Sequence, residues 1–297
     1  MIVLRAMKMK TGLCLPNYGN ATSKKAIDAV SELGEQLDYN SVWVTDHSLV
    51  PEANASPYGS VLEPLTTLAY LASKTENLLL GTSIIIFPLR EVVLFAKQAS
   101  ALQILSGNRL ILGLGAGWNE VEFKNMRADF QSRGQYYDEG VQLFKWLLRG
   151  NAEFKGDFYS ITDGVFAPVP EKEIPLYIGG SSGASLRRAA KLANGWFPVG
   201  LSPEELARGR KRLASLTDRE LKILLRISVK FSAKTEGKDS RGLPSTRLGG
   251  SSTQIVAQIK EYEKAGVDQI VCYFGDTSLE KLEKDITKFG KDVMPSI

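Results

Sequence analysis

The chain has 297 residues, 43% hydrophobic and 24% charged, a profile that excludes a disordered or fibrous protein. Its formal net charge of +4 is spread among acids with no long Lys/Arg run, which argues against nucleic acid as a partner, and no apolar run is long enough to span a membrane. The two cysteines, Cys14 and Cys272, match neither a zinc nor a CxxC spacing, so no metal site is expected and the compartment reads as reducing, the cytoplasm.

Residues 1–9 lack the apolar region and small-residue cleavage site of a signal peptide. With Met7 and Met9 as alternative starts, they read as a flexible extension. From residue 11 onward, short apolar runs alternate with longer amphipathic segments. Strands are expected at 11–16, 41–45, 78–86 and 109–114, then at 175–178, 195–199, 224–232 and 269–274. Most are nearly continuous in Leu, Ile, Val and aromatics, as in parallel strands covered on both faces. Helices are expected at 23–37, 64–74, 92–105 and 133–148, then at 184–193, 203–216, 253–265 and 279–293. Ser202, Pro203 and Glu205 make a capping box, Gly266 suits a left-handed cap, and Gly34 weakens the first helix. Eight strand–helix units in one direction predict the α/β class, a (β/α)8 TIM barrel filling 1–297 as one domain, and fit it better than an open doubly wound sheet. A core of this size needs no disulfide or metal; the cysteines, in the first and last strands, read as small buried apolar residues.

Four connections are long: 47–63, 119–132, 151–173 and 235–251. The first, second and fourth follow strands, so they are insertion loops at the C-terminal face, where barrel active sites lie. The Gly/Ser/Lys-rich fourth is a candidate mobile lid, or simply a surface loop.

His47, the only histidine, directly follows the second strand in Val42-Trp43-Val44-Thr45-Asp46-His47. It would face the barrel mouth and could exchange a proton there; a structural histidine bonded to a loop carbonyl is the alternative. Asp46 orients it or caps the next segment. Gly113, Gly115 and Gly117 end the fourth strand without the GxGxxG spacing, so they signal close approach of a flat ligand or a neighbouring backbone. Beyond them, Asn119, Glu120 and Glu122 offer polar groups to a ligand, or merely start a helix. Gly179-Gly180-Ser181-Ser182 follows the fifth strand and opens a helix, which suits a phosphate or a serine-capped turn.

These motifs, in this order, resemble the bacterial-luciferase-like superfamily and, within it, the coenzyme F420-dependent oxidoreductases. The resemblance runs from about Lys10 to the C-terminus and is strongest at 41–47, 81–84, 88–90, 96–98, 105–109 and 113–123, then at 175–182 and 193–196. It implies a non-prolyl cis peptide at Ser83–Ile84 behind a tricyclic ring, with His47 near the ring's reactive edge. It implies that Gly179, Gly180 and Ser181, with Ser182 beside them, hold the coenzyme phosphate. Asp46, Thr82, Gly115 and Asn119 would line the ring or ribityl pocket. The sugar-phosphate dehydrogenases that this pattern resembles carry a glutamate where Trp118 stands, which argues against a sugar-phosphate substrate and leaves Glu120 and Glu122 unassigned as a proton-donating acid. Relatives of this appearance are commonly homodimers, and the same state is expected here.

The expectation is hydride transfer between coenzyme F420 and a small organic substrate. The same motifs also suit an FMN-dependent monooxygenase using oxygen, or a flavin-binding barrel without catalysis. A non-redox phosphate-binding barrel would want a strand lysine, for which Lys230 is the candidate.

Overall fold

The computed structural model describes residues 9–231, 236–238 and 244–297. Eight parallel strands form the barrel wall: β1 (Lys10–Cys14), β2 (Ser41–Val44), β3 (Leu79–Ile86), β4 (Leu110–Gly115), β5 (Leu176–Gly179), β6 (Gly195–Phe197), β7 (Lys222–Phe231) and β8 (Gln269–Tyr273). Each pairs with its neighbours in that order, and β8 closes on β1. The helices between them are α1 (Lys24–Gln36), α2 (Pro64–Ala72), α3 (Val92–Leu105), α4 (Arg133–Leu147), α5 (Gly183–Leu192), α6 (Pro203–Ala214), α7 (Ser252–Lys264) and α8 (Leu279–Asp292). The (β/α)8 architecture is therefore present, each element falling within two residues of its expected bounds. The capping box forms at Ser202 and Glu205, and Gly266 adopts φ +90°.

Strand alternation sorts the core into two layers. Cys14, Trp43, Ile111, Phe197, Leu224 and Val271 point inward and fill the barrel. The larger layer, between strands and helices, takes Leu13, Val42, Val44, Leu80, Leu112, Ile178, Ile227 and Cys272 among others. Cys14 and Cys272 thus lie in different layers, and both are free and buried. The fully buried Trp43 fits because its flanking strands carry glycine: a Cβ on Gly81 would stand 2.3 Å from its ring, and one on Gly12 2.4 Å from Nε1. No helix among the described residues is long and apolar enough to cross a membrane.

The structure corrects several expectations about loops. The 47–63 connection contains a short helix, Ala55–Tyr58, and 119–132 contains another, Glu120–Asn125. The 151–173 connection carries a two-stranded hairpin, Phe154–Lys155 with Ser160–Ile161. The lid expected at 235–251 lies partly outside the described residues. Its second half is the strand Pro244–Gly250, paired parallel to the outer half of β7, with Leu248 fully buried. Composition missed this strand because partner pairing, not apolar alternation, defines it. Residues 1–8 of the expected extension and Ser232 of the expected seventh strand lie outside the described residues, and Met9 is packed in the core.

Candidate functional site

The site is built at the C-terminal ends of the strands. On β2, Trp43 fills the barrel while Val42 and Val44 face the helices. Continuing the alternation turns Thr45 and His47 to the mouth and Asp46 away. Asn17, fully buried, pins this strand end: its amide donates to the Thr45 carbonyl (2.8 Å), and its Oδ1 accepts the Thr45 N–H (2.9 Å).

His47 is buried to 9% exposure and its Nδ1 sits 2.9 Å from Oε2 of Glu122. Glu122 is fully buried, and its Oε1 accepts the Ser48 N–H at 2.6 Å. Asn119 caps the helix that carries Glu122, accepting the Glu122 N–H (3.2 Å), and its amide donates to Asn54 (2.9 Å). Tyr58 lies against the imidazole with ring centroids 4.2 Å apart, and Trp118 meets it edge-on at 5.9 Å.

Asp46 does not orient His47. Its Oδ2 accepts the Ile86 N–H (2.9 Å) and its Oδ1 pairs with Arg90 (2.5 Å). Burial raises its pKa, against the lowering pull of the Arg90 guanidinium and the Ile86 N–H. Thr82, expected in the ligand pocket, is fully buried and exchanges hydrogen bonds with the Gly113 backbone across β3 and β4. Asp46 and Thr82 are therefore committed to the scaffold.

The Ser83–Ile84 peptide is cis, and the β3–β4 register shifts between Thr82 and Ile85. The shift sends the half-exposed Ile84 side chain across β4 towards β5. A Cβ on Gly115 would stand 2.1 Å from Ile84 Cδ1, and one on Gly179 2.4 Å. The close neighbour that those glycines admit is thus a side chain of β3. Just after β5, Gly180 adopts φ +93° and its carbonyl accepts the Trp196 indole N–H (2.7 Å). Ser182 caps α5 by accepting the Ser185 N–H (3.1 Å), leaving Gly180, Ser181 and Ser182 exposed at the helix N-terminus. That turn carries partial positive charge and backbone N–H groups suited to a phosphate.

Sequence reasoning missed two groups. Glu122 reads from the sequence as either a ligand-facing polar group or a helix start, and it does sit in the helix Glu120–Asn125; its partnership with His47 spans 75 positions and has no local signal. Arg226, in the apolar run of β7, faces the same interior side as Leu224. It donates to the Ser83 carbonyl (2.8 Å), Thr45 Oγ1 (3.1 Å) and the Tyr18 hydroxyl (2.6 Å). An arginine at an inward-facing position of an apolar strand is a signal that was available. Lys230, the strand lysine expected of a non-redox barrel, is exposed. Among the described residues, no cluster of His, Cys, Asp and Glu is arranged to hold a metal ion.

Comparison with known proteins fits this geometry. The family model described as luciferase-like monooxygenase matches residues 9–237. The chain is 32% identical over 204 residues to the uncharacterized protein Rv0940c of Mycobacterium tuberculosis, covering 64% of this chain and 70% of that one. It is 24% identical to an F420-dependent glucose-6-phosphate dehydrogenase of Amycolatopsis mediterranei, over 89% of this chain and 91% of the relative. In fold it resembles an F420-dependent secondary alcohol dehydrogenase solved with an F420-acetone adduct, at TM-score 0.78 and 15% identity, covering 98% of each chain.

Proposed function

The chain belongs to the luciferase-like monooxygenase family, and from that premise we propose that it transfers hydride between coenzyme F420 and a small organic substrate at the barrel mouth. One observation carries the reading. His47, held by Glu122, and the exposed Gly180-Ser181-Ser182 turn lie at the same end of the barrel, with Ile84 reaching from β3 to β5 between them.

The residues present fit such a coenzyme. Backbone N–H groups of Gly180, Ser181 and Ser182, with the positive end of α5, would hold its phosphate; Gly179 at the end of β5 leaves room for Ile84. Ile84 offers an apolar surface to one face of a ring, and Gly115 makes room for that side chain on the β4 side. When bound, the deazaflavin ring supplies the carbon that gives or accepts hydride. His47 handles the accompanying proton: Glu122 engages Nδ1, so Nε2 is the nitrogen left to exchange it. Tyr58 and Trp118 shield the imidazole from bulk water.

The test is a titration of purified protein with F420 and, separately, FMN, followed by tryptophan fluorescence. Tighter binding of F420 is the expected result. The reverse order would favour the oxygen-using FMN monooxygenase that the family description allows, and binding of neither would sink both readings.

A further inference from the structure

We propose that Arg226 forms an anion subsite in the barrel mouth that takes the carboxylate of a flat organic-acid substrate. The inference rests on the functional reading above and deepens it by naming the substrate class.

The argument begins with the strand. On β7, Ile223, Leu225, Ile227 and Val229 are buried towards the helices, Leu224 fills the barrel, and Arg226 is the next inward residue. A guanidinium has five N–H donors. Nη1 serves Ser83 and Thr45, and Nη2 serves Tyr18. That leaves the Nε–H and one Nη2–H without an acceptor among the described residues. The bonds that are made go to hydroxyls and a carbonyl, all neutral.

Among the described residues, no carboxylate lies within 4.0 Å of Arg226, whereas Arg90 pairs with Asp46 and Glu63, and Arg188 with Asp138. The titratable groups facing Arg226 are the phenols of Tyr18, Tyr58 and Tyr273 and the Cys14 thiol. Burial raises Tyr18, Tyr273 and Cys14, so these stay neutral near pH 7 and offer no compensation. A partly buried cation with free donors and no anion gains most from a ligand that brings one. One guanidinium suits a monoanion; a phosphate dianion would call for further cations.

The surroundings define the rest of the ligand. The Arg226 guanidinium lies 5.7 Å from the Tyr18 ring centroid and 5.2 Å from that of Tyr273. Tyr18 stacks on Tyr273 at 5.8 Å and on Tyr58 at 5.7 Å, and Tyr58 touches His47. An aromatic wall therefore runs from the guanidinium to the imidazole of His47. A planar, unsaturated or aromatic acid can lie along it, with its carboxylate at Arg226 and its body directed towards His47.

The test compares benzoate with its neutral isostere benzamide by calorimetry, on wild type and on Arg226→Gln, with and without F420. Wild type should bind benzoate at least about tenfold more tightly than benzamide, the size of one charge-assisted bidentate contact. In Arg226→Gln the preference should fall to about one, with F420 affinity within about twofold of wild type. Arg226→Lys should keep part of the preference, since it retains the charge without the fork. Equal binding of the two probes by wild type overturns the proposal, and this comparison requires no variant to fold. A preference that survives Arg226→Gln overturns it as well. Loss of benzoate binding when F420 is present would assign the guanidinium to the coenzyme ring and overturn the substrate role. If F420 fails to bind wild type while the benzoate preference holds, the coenzyme reading falls and the anion subsite stands.

Discussion

The two ends of this barrel use polar side chains in opposite ways. At the N-terminal end, the residue just before an even-numbered strand bonds the first part of the preceding strand. Asn40 accepts the Thr11 N–H, Asn194 the Leu176 N–H and Asp268 the Ile223 N–H, each at 2.8 Å. Arg109, just before β4, reaches the carbonyls of Ala72 and Leu78. Side chains there satisfy backbone groups that strand pairing leaves over. At the C-terminal end, His47 and Glu122 bond each other, Arg226 bonds Ser83, Thr45 and Tyr18, and Arg226 keeps donors without an acceptor among the described residues. One end closes the fold and the other carries the proposed chemistry, the division expected of barrel enzymes. Substitutions at the mouth should therefore cost turnover with little stability, and those at the floor the reverse.

The largest expected effect is at His47. His47→Gln keeps an N–H for Glu122 but removes the imidazole, so turnover with bound F420 should fall by about 10²–10⁴. Its urea midpoint should stay close to that of wild type. Full turnover in this variant would remove the histidine from the mechanism; a large shift of the midpoint would erase the contrast between the two ends. Glu122→Gln can still accept the Ser48 N–H, but it then presents an amide N–H to Nδ1 and fixes the proton on Nε2, so turnover should fall steeply here too, by no more than in the histidine variant.

The contrast also explains what could be read from the sequence. The eight strands were legible because parallel strands buried on both faces are unbroken apolar runs, and the helices because their caps are local, as at Ser202 and Glu205. The position of His47 at the C-terminal end of the barrel was legible because the residue directly follows a strand. The Glu122 partnership was not, because a carboxylate at a helix start is ordinary and its neighbour is 75 positions away. The bonding of Asp46, left open between two roles in the sequence, was not legible because its partners Ile86 and Arg90 come from the next strand–helix unit. Asn40, Asn194 and Asp268 each stand directly before a strand, yet their role is visible only once the neighbouring strand is in place.

At the floor, Arg109→Met should be the costlier change. The guanidinium donates to Ser106 O, Thr75 Oγ1, Leu78 O and Ala72 O at 2.7–2.9 Å, tying the end of α2 to the starts of β3 and β4. Its removal leaves these acceptors to water, so a loss of about 2–4 kcal/mol is expected from chemical denaturation. F420 affinity should not change. A loss of coenzyme binding with unaltered stability would show that the two ends are not independent.

Glu35 gives a smaller effect with a pH signature. Its Oε1 accepts the N–H groups of Glu76 (3.2 Å), Asn77 and Leu78 (2.9 Å each), just ahead of β3. Burial works to raise its pKa, but these three donors together hold it below its ordinary value of 4.5. A carboxylate whose folded pKa is depressed stabilises the fold above its unfolded pKa, and that contribution disappears as pH falls through the folded value. Glu35→Gln should therefore cost about 1 kcal/mol at neutral pH, a figure kept small by the water that reaches this half-buried group. The gap between variant and wild type should begin to narrow below about pH 4.5 and close as the pH falls through the lowered folded value, where the wild-type carboxyl is protonated and donates as well as accepts. Urea midpoints measured across that range decide the matter. A gap of constant size from neutral pH down into the acid would mean that shape, not charge, holds the segment before β3, and that the floor of the barrel is less electrostatic than its hydrogen bonds imply.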